Sequence, residues 1–315
     1  ASATAQNGGK YRLVVLAGGR EVQTTEADFG AEADCLVATV KLAALKPGDY
    51  VLRATFAAVP VEWALHVSAD RRQPAALDPT GRLLREGRPL VPLGLYHVAA
   101  ADYALISQRG FTAVQGPASH DLKAVGAVLQ EAAARRLGVV LPLYSGGLVA
   151  RNLDQTTQKA RAFARQPALL AWKLADEPDR HPETAGEVPE AYRRLKALDR
   201  VHPILLTVTD ADQAAFWGQF CDILEVAILP APGQSVGAVE AQLRHARAQL
   251  QPWQGLFALL PAGWQSTPPN QPPVGQARAM AYLALLSGAT GVFWYSFSDP
   301  GWSLTQTPLW EAMKG

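Results

Sequence analysis

The sequence predicts a multidomain chain, a small all-β sandwich followed by a (β/α)8 barrel of the TIM type, divided at 1–76 and 77–315. Three observations predict it. Up to about residue 69 the chain reads as short runs rich in β-branched and aromatic residues, separated by turns. Beyond a polar stretch the pattern changes to apolar strand, amphipathic helix, strand, helix, which implies right-handed crossovers and a parallel sheet. Eight such strands can be counted, and neither a G-x-G-x-x-G nor a P-loop marks the open, doubly wound alternative.

In chain order, the first part offers YRLVVLA, REVQTT, CLVATVKL, DYVLRATFA and VEWALHVSA as strands, with a helical turn near Thr25 to Ala33 the only candidate interruption. An antiparallel sandwich accommodates these runs. Lys46-Pro47-Gly48-Asp49-Tyr50 is a turn with a mechanism, Pro presetting φ and Gly supplying a left-handed position before the strongest strand. Residues 70–81, DRRQPAALDPTG, are polar with two prolines and read as the linker.

The barrel strands are placed near Leu90–Tyr96, Thr112–Gln115, Gly138–Tyr144, Leu169–Ala175, Ile204–Thr209, Ile223–Leu229, Gly255–Leu260 and Gly291–Phe297. Between them the clearest helices are DLKAVGAVLQEAAARRLG, DQTTQKARAFARQ, PEAYRRLKALDR, VGAVEAQLRHARAQL and QARAMAYLALLSG, several closed by Gly or followed by Pro. TPLWEAMKG leaves room for a short last helix.

Composition narrows the function classes. With 49% hydrophobic and 18% charged residues in 315, the chain has material for a large core and is no disordered segment. A net charge of +1 and the absence of any Lys/Arg-rich run argue against a nucleic-acid partner. No apolar stretch reaches the roughly 18 residues of a membrane span. Cys35 and Cys221 lie far apart in no metal or redox spacing and read as two packed thiols. His181, Asp179 and Glu183 read as a solvated loop, so neither metal nor cofactor is expected. The small, polar start ASATAQNGG resembles a chain whose export signal has been removed, giving a secreted or periplasmic expectation.

The most informative segment is LLAWKLADEP, Leu169 to Pro178, where an apolar run ends in two adjacent carboxylates, Asp176 and Glu177, followed by a proline that cannot continue a strand. A buried parallel strand is nearly all apolar, and residues just past its C-terminal end face the substrate-binding loops of a barrel. Carboxylates there can perform acid/base chemistry.

Three segments together resemble the clan A glycoside hydrolases, whose barrels often follow a β-sandwich. GRLLREGRPLVPLGLYHV (81–98) is similar to their first strand, with a hairpin covering the barrel bottom; AWKLADEP (171–178) resembles the fourth-strand motif that presents the general acid/base; SGATGVFWYSFSD (287–299) is similar to the eighth strand, whose aromatic end forms a sugar platform. The Pro-Gly-Asp-Tyr turn likewise resembles those of immunoglobulin-like modules appended to secreted enzymes. The resemblance implies O-glycoside hydrolysis of a carbohydrate with Glu177 as acid/base and Asp176 where many members have Asn. It also implies a nucleophilic Glu ending the seventh strand, yet here that strand reads LFALLPAGWQ (256–265).

Glycoside cleavage uses two carboxyl groups, and three partners for Glu177 are open. Asp176 is adjacent but on the opposite face of an undistorted strand. Asp210 ends the fifth strand at rim height, where it could equally cap a helix. Glu225 lies inside the sixth strand and needs a partner, for which Lys173, on the face of Glu177, is available; such a pair also reads as structural support. Tyr96, His97, Gln115, Tyr144, Lys173, Trp264, Trp294 and Tyr295 are the substrate-binding candidates, since sugars stack on rings while their hydroxyls take hydrogen bonds. Loss of the seventh-strand carboxylate leaves a second function open, a non-catalytic carbohydrate-binding protein on the same barrel.

Overall fold

The computed structural model describes residues 9–32, 35–37, 45–56, 59–67, 75–145, 150, 152–181, 183, 186–230, 235–263 and 271–313. The chain divides into two compact units, Ala1–Arg71 and Arg72–Gly315.

In the first unit, β1 (Gly9–Ala17), β2 (Arg20–Glu32), β3 (Cys35–Val37), β4 (Gly48–Phe56) and β5 (Val59–Val67) form one antiparallel sheet in the order β3-β2-β1-β4-β5. Gly18 and Gly19, both at positive φ, make the two-residue turn that lets β1 fold back on β2 with the twist of the strands. Leu13 and Val15, two apart, are buried on one face, as the strand period requires. The helical turn expected near Thr25 does not form: β2 runs on to Glu32, paired with β1 through Phe29 and with β3 from Gly30. Gly48 takes the positive φ expected of the glycine here, +155°, as the first residue of β4. The turn is closed by Tyr50, whose hydroxyl donates to the Lys46 carbonyl (2.7 Å). Of the expected strand CLVATVKL, only Cys35–Val37 lies within the described residues, and the Cys35 side chain lies outside them.

The second unit begins within the expected linker. Residues 70–74 lie outside the described residues, whereas Ala75–Leu77 is β6, paired with β7 (Leu83–Arg85), which pairs in turn with β8 (Arg88–Pro89). Asp78 ties the β6–β7 turn by accepting from the backbone of Thr80 and Arg82. Ala75 and Leu83 of this hairpin are buried in the barrel's interior cluster.

All eight barrel strands form: β9 (Leu93–Leu95), β10 (Ala113–Gln115), β11 (Gly138–Pro142), β12 (Leu169–Asp176), β13 (Ile204–Val208), β14 (Ile223–Ala227), β15 (Gly255–Pro261) and β16 (Gly291–Tyr295). They are parallel and close β16 onto β9. The helices α1 (Tyr103–Gln108), α2 (Leu122–Ala134), α3 (Leu153–Phe163), α4 (Val188–Leu198), α5 (Ala214–Trp217), α6 (Gly237–Gln249), α7 (Val274–Leu286) and α8 (Pro308–Ala312) follow the strands one by one. A small hairpin, β17 (Ser298–Asp299) and β18 (Trp302–Ser303), is inserted between β16 and α8.

Alternation along the strands builds two cores. Ala113, Val140, Leu205, Ile223, Phe257 and Phe293 pack in the interior, while Val114, Leu141, Leu206, Leu224, Leu256 and Trp294 pack with the helices. Gly94 permits this filling, because a Cβ there would lie 2.2 Å from the Phe293 ring. Cys221 is buried and unpaired. Among the described residues no helix is long and apolar enough to cross a membrane.

Candidate active site

The site sits at the C-terminal ends of the barrel strands and starts with an irregularity in β12. Its register against β13 shifts between Lys173 and Ala175, so that Ala175 joins the outer core and Asp176 comes round to the pocket. Glu177 keeps one ladder bond, its N–H donating to the Thr207 carbonyl (2.9 Å), and then turns with left-handed φ 49° and ψ 45° into the 3-10 turn opened by Pro178. The result is that adjacent carboxylates both line one pocket. Strict alternation would have separated them.

That pocket, of about 450 Å³, is lined by Tyr96 and His97 after β9, Asp176 and Glu177 after β12, Leu229 after β14, Leu259 of β15 and Tyr295 of β16. Asp176 is locked: Oδ1 lies 2.7 Å from Lys173 Nζ, and Oδ2 accepts from the Tyr144 hydroxyl (3.3 Å). Glu177 is freer, its side chain 29% exposed and touched by the exposed Arg180 at 3.4 Å.

Below the pocket floor lies a buried polar cluster. Lys173 and Glu225 have no exposure. Lys173 Nζ donates to the Tyr96 hydroxyl (2.7 Å) and stands 3.8 Å from Glu225. Glu225 Oε2 accepts from Tyr96 (2.5 Å) and Thr207 (2.7 Å), whereas its Oε1 has no partner among the described residues. Burial pushes the Glu225 carboxyl up against the opposing pull of Lys173 and these donors. Burial, and then Glu225, raises the Tyr96 hydroxyl well above its ordinary range; Tyr144 is raised by burial and then Asp176. Tyr295 is raised by burial, then by Asp299, Asp176 and Glu177. The pocket is therefore acidic, and Lys173, buried beneath it, is held by the Asp176 carboxylate.

The candidate residues divide by position. Tyr96, His97, Asp176, Glu177 and Tyr295 line the pocket. Tyr144 stands behind Asp176, its hydroxyl eased downward by Gln115 at the end of β10 against the larger upward causes. Lys173 and Glu225 are corrected from direct substrate or catalytic roles to the supporting cluster, because both are fully buried beneath the pocket. Asp210 is corrected to a cap: Oδ1 accepts from Asp212 N–H (2.9 Å) at the start of a 3-10 turn, and its side chain does not line the pocket. Trp294 is corrected to the outer core, since inward Phe293 and rim-facing Tyr295 leave the residue between them facing the helices. Trp264 lies outside the described residues.

Sequence reasoning missed Asp299, Thr207 and Asp179. Asp299 Oδ1 lies 2.7 Å from His97 Nδ1, and its Oδ2 accepts from Ser296 (2.6 Å). Its signal was its place at the end of the SGATGVFWYSFSD segment. Thr207 shares the inward face with Leu205, which alternation does encode. Asp179, read as loop, accepts from Thr209 N–H, Thr209 Oγ and Asp210 N–H at 2.7–2.9 Å, pinning the end of β13. His181 and Glu183 are exposed 3.4 Å apart, and among the described residues no group of three or more His, Cys, Asp or Glu is placed to hold a metal.

No protein-family model matches the chain, and no curated protein matches it. Solved structures do share its fold. A GH2 beta-galacturonidase from Eisenbergiella tayi, bound to galacturonate, superposes with TM-score 0.54 at 14% identity over 92% of this chain and 59% of that one. Bacteroides uniformis beta-glucuronidase 2 gives 0.56 at 13% identity over 91% and 42%. A beta-D-glucuronidase from Dictyoglomus thermophilum gives 0.52 at 12% identity over 93% and 58%. The chain thus spans about half the length of these glycoside hydrolases, and the likeness is one of fold.

Proposed function

We propose that the chain is a glycoside hydrolase that cleaves O-glycosidic bonds of an oligo- or polysaccharide, with Glu177 as the general acid/base. The observation that carries this reading is Glu177 itself, turned by a left-handed residue at the end of the fourth barrel strand into an acidic, tyrosine-lined pocket. Active sites of this barrel sit at that rim, and a carboxyl group that lines the pocket there beside a second carboxylate is placed to meet the leaving oxygen of a bound glycoside. Tyr295 offers a ring to a sugar face, and Asp176, already fixed by Lys173 and Tyr144, offers charge to an oxocarbenium-like transition state. In this reading the first unit is an accessory immunoglobulin-like module, the second unit, which takes in β6, is the catalytic domain, and the site of action is outside the cytoplasm.

Glu177→Gln tests it. The variant loses the proton donor and keeps the shape, so kcat on unactivated glycosides falls by about 10²–10⁴-fold while KM changes little. Turnover near the parent's removes Glu177 from the role. A second reading, a carbohydrate-binding protein, draws on one observation: β15 ends in Leu259, Leu260 and Pro261, with no carboxylate. It expects sugar affinity with no turnover in the parent chain.

A further inference from the structure

We propose that His97 and Asp299 form the base half of this site, His97 Nε2 taking the proton of the attacking water and Asp299 orienting the imidazole. The inference rests on the hydrolase reading above and supplies the partner that β15 does not. Asp176 is committed to Lys173 and Tyr144, Glu225 is sealed beneath the floor, and Asp210 caps a turn.

The dyad is assembled by barrel closure. His97 follows β9 and Asp299 lies just past β16, 202 residues apart in sequence but beside one another where the last strand meets the first. His97 Nδ1 to Asp299 Oδ1 is 2.7 Å; a hydrogen on Nδ1 shared with the carboxylate leaves the lone pair on Nε2. Asp299 is itself held, its other oxygen accepting from Ser296 at 2.6 Å. The His97 backbone is held as well, its carbonyl accepting from Ser298 (3.0 Å) and its φ of 56° being one that non-glycine residues adopt only under constraint. The Tyr295 ring meets the imidazole edge-on at 4.9 Å. The titratable groups around His97 are thus Asp299, Tyr295 and its neighbour Tyr96, with Asp176 and Glu177 lining the same pocket. Ser296 donates to the carboxylate and not to the imidazole, so the order of groups is not that of a serine nucleophile.

The step balances with water as co-reactant. Water oxygen bonds to the anomeric carbon as the bond to the leaving oxygen breaks; the leaving oxygen takes the Glu177 proton, and the water proton passes to His97 Nε2. The imidazolium is stabilised by Asp299, and its proton returns to Glu177 through solvent. Direct displacement by water inverts the anomeric centre.

The full chain is assayed against α- and β-linked oligosaccharides of four sugars, glucose, galactose, glucuronate and galacturonate, whose unactivated leaving groups require the acid, with ¹H NMR of the first product. Turnover with inversion is expected. His97→Asn, which tolerates the left-handed backbone, lowers kcat/KM by about 10²–10⁴-fold. Asp299→Asn lowers kcat with KM little changed, and Asp299→Glu restores part of the loss, a split that a merely structural role would not produce. A retained configuration, or kcat/KM of His97→Asn within about threefold of the parent, overturns the dyad. Turnover lost in Glu177→Gln but kept in His97→Asn overturns the dyad alone, whereas a parent chain inert toward all of these oligosaccharides overturns the hydrolase reading and the dyad together.

Discussion

Lys173 shows how a single residue determines the electrostatics of the site. It has no exposure, yet it meets Asp176 at 2.7 Å and Glu225 at 3.8 Å and donates to Tyr96. Removing the charge leaves two acids near one another with no cation, so Lys173→Met should cost about 3–5 kcal/mol of stability, measured by chemical denaturation. Glu225→Gln should behave differently. The amide keeps a carbonyl for Tyr96 and Thr207 but puts an NH2 donor where Oε1 has no partner among the described residues, so it should cost about 1–3 kcal/mol, less than Lys173→Met. Equal losses in the two variants would contradict this assignment. The Lys173–Glu225 proximity was legible in sequence, because both lie at inward positions of buried strands. The stronger Lys173–Asp176 contact was not, because it depends on a register shift that no residue type announces.

At the scale of elements, the end of β12 and the end of β13 are one construction. Glu177 continues the ladder onto Thr207, and two residues later Asp179 reaches back to Thr209 and Asp210. Asp179→Ala leaves two backbone N–H groups without their charged acceptor, a loss of about 1–3 kcal/mol. The thermal midpoint should fall by roughly 2–4 °C for each kcal/mol, and an unchanged Tm would show that water replaces the carboxylate fully. All eight strands were legible because buried parallel strands write themselves as apolar runs bounded by turns. Their ends were less so: the predicted Ile204–Thr209 and Ile223–Leu229 stop at Val208 and Ala227, where ladder pairing gives way to loop hydrogen bonds. Asp210 at that boundary is the residue whose two readings, base or cap, composition could not separate.

In the whole molecule, the candidate site lies at the C-terminal end of the barrel strands and a stabilising network sits in the loop between α4 and β13. There Asp199 accepts from Trp172 Nε1 (2.8 Å), from the backbone of Val201 and His202, and lies 2.7 Å from His202 Nδ1. Burial opposes its charge, but His202 and the other donors win and lower the carboxyl from 3.8 to about 2. A folded pKa below the unfolded one means that the stabilisation is complete above about pH 4 and is lost as pH falls through 2; its size is about 2 kcal/mol. Denaturation of the parent and of Asp199→Asn should therefore differ most at neutral pH and converge toward pH 2, and a constant difference would contradict the assignment. The sequence by itself determined the order of elements, the alternation of strand and helix that makes a parallel barrel, and the apolar run that delivers Asp176 and Glu177 to its rim. Those are local consequences of hydrophobic period and turn chemistry. Only the tertiary structure decided that Trp294 faces the helices, that Glu225 lies sealed under the pocket, and that His97 meets Asp299. Each of these depends on strand parity, register or the closure of β16 onto β9, relations between distant segments that a linear pattern does not carry.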